Sequence, residues 1–107
     1  MDTVRTATAL LVDDDANSCL ANRQRLEDDG YSVVTACDRT EGLRRARQWA
    51  PNRIFIHLGA NGAGSLGFIE ALRSDDGCRH IPVVVLGAQP VVRPRRSKLR
   101  PVNRDLW

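Results

Sequence analysis

Three consecutive carboxylates, Asp13, Asp14 and Asp15, close a short apolar run at residues 7–12. Clustered carboxylates at the end of a strand suit a hard cation, which takes oxygen ligands. They equally suit the start of a helix, where acidic side chains accept backbone N–H groups and meet the positive end of the helix dipole. A second reactive type, the imidazole of His57, interrupts another apolar run at residues 54–58. An imidazole beside two carboxylates is chemically competent to bind zinc, manganese or iron. The simpler expectation, and the favoured one, is that His57 hydrogen-bonds to the acidic pair. His80 precedes the next run and is expected on the surface at the opposite end of the sheet. Cys19, Cys37 and Cys78 are odd in number and far apart in sequence, which argues against a disulfide framework or a cysteine zinc site. Free thiols in a reducing compartment are expected.

The elements that must position these groups alternate in type. Four short apolar runs, at residues 7–12, 31–36, 54–58 and 81–86, read as strands, and three of them are rich in β-branched residues. Residues 16–29 read as a first helix with weak apolar spacing, left at Gly30. Residues 38–50 read as a second: Asp38 and Glu41 have capping-box spacing, and Leu43, Ala46 and Ala50 fall on one face. Ser65 is placed as the cap of a third, with Leu66, Ile69 and Leu72 inward. Strand–helix alternation predicts an α/β fold: an open parallel sheet of about four strands, right-handed crossovers and flanking helices. In such a sheet ligands gather outside the carboxyl ends of the strands. The aspartates, His57, Gly87 and the glycine-rich loop from Gly59 to Gly64 should meet there.

The order of these segments resembles the receiver domain of two-component response regulators. Residues 9–15, with Asp13 and Asp14, resemble its first strand and acidic pair. Residues 30–36 resemble its second strand, residues 51–58 its third and residues 81–88 its fourth. The resemblance covers roughly residues 7–88. It implies a flavodoxin-like fold lacking its last elements, with residues 1–88 a degenerate receiver domain and residues 89–107 a basic tail. It also implies that Asp13 and Asp14 are a magnesium pair, weak or lost here. His57 stands at the phospho-acceptor position, where the family has an aspartate. Gly87 stands at the switch position, where the family has a Thr or Ser, and the family's lysine has no counterpart. An imidazole cannot form the acyl phosphate that a carboxylate nucleophile forms. With the hydroxyl and ammonium also gone, two further phosphoryl contacts are lost. The expectation is therefore a module that is not an enzyme, has no catalytic residue and holds no cofactor, residual magnesium being left open. It would bind a histidine kinase, a regulator or its own copy, as a homodimer, without needing phosphorylation.

Charge separates the body from the tail. Residues 1–92 carry ten basic and twelve acidic side chains, whereas residues 93–107 carry six basic ones against Asp105 alone. Pro90, Pro94 and Pro101 limit regular structure there. A solvated tail is the favoured reading; tracking of nucleic-acid phosphates is the alternative. No apolar run approaches the ~20 residues of a membrane span, and no signal-peptide core is present, so a cytoplasmic protein without a membrane partner is expected.

Overall fold

Asp15 begins the first helix because its carboxylate accepts from the N–H groups of Asn17 and Ser18. A computed structural model, which describes residues 6–59 and 63–86, places seven elements in the chain. They are β1 (Thr8–Asp13), α1 (Ala16–Asp28), β2 (Ser32–Ala36), α2 (Arg39–Trp49), β3 (Arg53–His57), α3 (Ser65–Arg73) and β4 (Val83–Val85). The strands pair in parallel in the order β2-β1-β3-β4. This is the predicted α/β architecture, and among the described residues β4 forms one edge. Gly87 and the tail at residues 89–107 lie outside the described residues, as does the proposed boundary at residue 88.

Side-chain alternation along the central strands divides the core in two. Leu10, Val12, Ile54 and Ile56 face α2 and α3, where they meet Ala46, Phe68 and Leu72. Ala9, Leu11 and Phe55 face α1, where they meet Leu26. Tyr31 stands edge-on to Phe55 on that face, with ring centroids 5.5 Å apart. Burial on both faces explains why β1 and β3 read as continuous apolar runs rather than alternating ones.

Helix ends follow local chemistry. Gly30, at φ 103°, turns the chain from α1 into β2. Asp38 caps α2 by accepting from Glu41 N–H at 2.8 Å, as the capping-box spacing predicts. Glu41 reaches back to the N–H of Cys37 at 3.0 Å, one residue beyond the cap. That N–H, together with Arg45 and the Cys37 thiol, holds the Glu41 carboxyl down at about 2. α2 stops at Ala50, which adopts φ 45° before Pro51, so Ala50 does not continue the apolar face. Gly42 sits where α2 crosses the sheet, and a Cβ there would lie 3.0 Å from both Phe68 Cζ and Val12 Cγ2.

α3 differs from its expected frame. Gly64 is its cap position, with no side-chain cap bond, and Ser65 is its first, buried residue. Phe68 and Leu72 are buried with Ser65, Ile69 is partly buried, and Leu66 points outward at 65% exposure. The i, i+3, i+7 set that starts at Ser65 includes the bulky Phe68, and burying that ring sets the rotation of the helix.

Candidate functional site

β1 and β3 are neighbours in register, so Asp13 lies opposite His57 at the carboxyl end of the sheet. The Asp13 side chain is fully buried and that of His57 is 18% exposed. Asp13 Oδ1 accepts from Asp15 N–H at 3.0 Å and lies 3.3 Å from His57 Nδ1. Asp13 Oδ2 accepts from Ser18 Oγ at 2.6 Å and from Asn22 Nδ2 at 3.3 Å. Ser18 Oγ also lies 3.3 Å from His57 Nδ1 and accepts from Asn22 Nδ2 at 3.3 Å. A serine has one hydroxyl proton, and here it goes to Asp13. His57 Nδ1 therefore faces two acceptors, and the network assigns a ring proton to Nδ1.

Asp13 is thus fully engaged. A carboxylate offers about four lone-pair sites. The Asp15 N–H, Ser18, Asn22 and His57 occupy them, and no water-facing oxygen remains. Asp14 is exposed, and its Oδ2 accepts from Gly59 N–H at 2.9 Å. That bond ties the end of β1 to the turn after β3. Gly59 makes this turn at φ 75°, and a Cβ there would lie 2.9 Å from Gly64 N. Residues 60–62 of the glycine-rich loop lie outside the described residues.

The three sequence-predicted aspartates therefore do three different things. Asp15 caps α1, Asp14 anchors the turn after β3, and Asp13 joins His57, the one contact that sequence reading favoured. A magnesium ion would need oxygens that Asp13 has already committed to donors, and a third carboxylate where His57 stands. The residues present do not fit that ion. Among the described residues, no three His, Cys, Asp or Glu side chains come together as a metal centre. His80 is exposed in the turn before β4, away from this end.

Sequence reading missed Ser18 and Asn22. Their four-residue spacing on α1 places both on the face over Asp13, a signal hidden by the weak apolar pattern of that helix. The cysteines contribute no activated thiol among the described residues. Burial, followed by the charge of Asp13, pushes the Cys19 thiol up; a hydrogen bond to Glu41 does so for Cys37; and burial does so for Cys78. All three are free.

A cleft of about 340 Å³ opens beside Asp14, lined also by Asp38, Arg39, Leu58, Gly59 and Gly64. No helix among the described residues is long and apolar enough to cross a membrane.

No protein-family model matches the chain. It is 35% identical over 100 residues to the transcriptional regulatory protein PrrA of Mycobacterium tuberculosis, covering 92% of this chain and 42% of that protein. It is 30% identical over 89 residues to the DNA-binding response regulator MtrA of the same species, covering 83% of this chain and 37% of that protein. The chain thus spans less than half the length of these curated relatives. Among solved structures it is similar to the N-terminal domain of a response regulator receiver protein from Methanoculleus marisnigri. The TM-score is 0.70 and the identity 27%, over 80% of this chain and 70% of that one. The chemotaxis response regulator CheY4 of Vibrio cholerae matches with a TM-score of 0.66 and 26% identity, over 76% of this chain and 68% of that one. Parallel strands in the order β2-β1-β3-β4, an acidic pair closing β1 and these relatives agree, and the chain belongs to the response regulator receiver domains of two-component signalling.

Proposed function

We propose that this receiver domain is an interaction module whose state is not set by phosphorylation. The carrying observation is His57 at the end of β3, bound through Nδ1 to a buried Asp13 that has no acceptor site left. Phosphotransfer to a receiver needs a carboxylate nucleophile and a metal that neutralises the transferring group. Neither requirement is met by these side chains, so the module works without catalysis and without a resident cofactor, magnesium included. Gly87 completes this reading from sequence, as a switch position without a hydroxyl.

Its partners are proteins of the same signalling system: a histidine kinase, another regulator or a second copy of the chain. Self-association is supported by β4, an edge strand among the described residues whose Val85 is 49% exposed. Unpaired strand edges are templates for pairing, and a homodimer would use the same edge twice. The work is done in the cytoplasm, where kinases of such systems present their phosphoryl groups.

The test is incubation with acetyl phosphate and magnesium, followed by intact-mass measurement. An unchanged mass is expected. A hydroxylamine-sensitive acyl phosphate, or an acid-labile phosphoramidate on His57 Nε2, would overturn the reading.

A second reading is nucleic-acid association through the six basic residues between Arg93 and Arg104. It is supported by that charge and by the DNA-binding designation of MtrA. Salt-sensitive retention of DNA or RNA that disappears when residues 93–107 are deleted would establish it.

A further inference from the structure

Arg39 opens α2, yet its guanidinium has no ion pair or hydrogen bond among the described residues. The residue is exposed. Its Nη1 lies across Gly67 of α3, where a Cβ would stand only 2.7 Å away. Gly67 thus leaves the gap through which the cation reaches from one helix to the next. There it walls the cleft that Asp14, Asp38, Leu58, Gly59 and Gly64 also line. The two carboxylates of that wall already serve the chain. Asp14 receives the Gly59 N–H at 2.9 Å and Asp38 the Glu41 N–H at 2.8 Å. Both keep their negative charge, since a backbone N–H is neutral, and Arg39 is the charged group of that wall without a partner among the described residues.

We propose that this cleft between α2 and α3 takes an acidic side chain of a partner protein, gripped by Arg39. The inference rests on the interaction-module reading and names the chemistry of the partner. A planar guanidinium matches a carboxylate with two parallel hydrogen bonds. The first turn of α3, which no side chain caps, adds the positive end of a helix to the same cleft. Asp14 and Asp38 limit the charge of the guest. A doubly charged phosphate meets both carboxylates, whereas a single carboxylate meets less repulsion. The place fits as well, because Asp14 and Leu58 follow β1 and β3 at the carboxyl end of the sheet, where open parallel sheets bind their ligands.

The experiment is an amide-detected NMR titration of the full chain with capped Gly-Glu-Gly, and with capped Gly-Gln-Gly as the neutral control. Saturable shifts at Gly59, Gly64 and Gly67 are expected with the glutamyl peptide, and binding roughly tenfold weaker with the control. Arg39→Ala should abolish the glutamyl response. Gly67→Ala should weaken it while leaving the arginine in the sequence, because the new methyl, 2.7 Å from Nη1, makes the guanidinium shift. Alanine is the better helix former, so this variant keeps its fold, as the same spectra will show. Shifts that are absent, equal for the two peptides or unchanged in Arg39→Ala would overturn the proposal, as would tighter binding of inorganic phosphate than of the glutamyl peptide. Such a failure would leave the phosphorylation reading standing, since that is decided by mass.

Discussion

Asp13 is buried with four partners, and each partner removed leaves an acceptor without water to replace it. Ser18→Ala deletes the shortest of these bonds, at 2.6 Å, and also the hydroxyl that accepts from Asn22. A loss of about 1–3 kcal/mol is expected, the usual cost of a buried group left unsatisfied, measured as a lower urea midpoint with unchanged slope. An unchanged midpoint would mean that water or Asn22 replaces the serine. The pairing of Asp13 with His57 was legible in the sequence because both residues end apolar runs expected to lie side by side. The division of labour among the three aspartates was not. Identical side chains one residue apart differ only in which way the backbone turns them, and that is set by the entry into α1. Arg39 gave no sequence signal either. A lone arginine at a helix start reads as solvated until the glycine opposite it is placed.

Among the elements, α2 was the most legible and α3 the least. Asp38 and Glu41 announced a capping box, and the structure builds its Asp38 half, with Glu41 reaching the N–H of Cys37 in place of the cap's own. The Glu41 carboxyl, held at about 2 against an ordinary 4.5, links this cap to pH. A carboxyl depressed in the folded state stabilises fully above its unfolded value, and the contribution is lost as pH falls through the folded value. Stability should therefore decline between about pH 4.5 and 2, and Glu41→Gln should flatten part of that decline in acid-unfolding curves. A curve identical to the parent's would show that the cap does not govern it. In α3 the serine that looked like a cap is instead buried, and its Oγ accepts from Leu58 N–H at 3.4 Å. Serine suits both roles, and only the burial of Phe68 decides between them. At Gly42 the helix and sheet approach so closely that Gly42→Val must displace Phe68 or Val12. Overpacking of this kind typically costs about 1–3 kcal/mol, and thermal unfolding should register it as a lower midpoint.

For the whole molecule, parallel topology was legible from the alternation of apolar runs with helical segments, and the observed order β2-β1-β3-β4 agrees with it. Strand limits were less legible, since β4 is Val83–Val85 where the apolar run extends over residues 81–86. Apolar side chains just outside a strand also pack, as Ile81 and Leu86 do. If two copies join along β4, light scattering should show molar mass rising with concentration, and Val85→Lys should hold the chain at the mass of one copy. A mass of one copy throughout for the parent chain would instead direct the search to other proteins.

Among the described residues, the helices on the two faces of the sheet bury unequal numbers of side chains. Among those residues, one face carries α2 and α3 over a core that includes Phe68 and Leu72, and the other carries α1, whose single buried residue is Leu26. Ser18 and Asn22, half of what satisfies Asp13, ride on that helix. Segments with few buried apolar contacts open at lower free energy than the domain unfolds, so amide protons of α1 should exchange with deuterium before those of β1 and β3. Each such excursion would uncover Asp13 while the sheet stays intact. The acidic position is then sealed by a latch, and how often solvent reaches it is set by how often α1 opens.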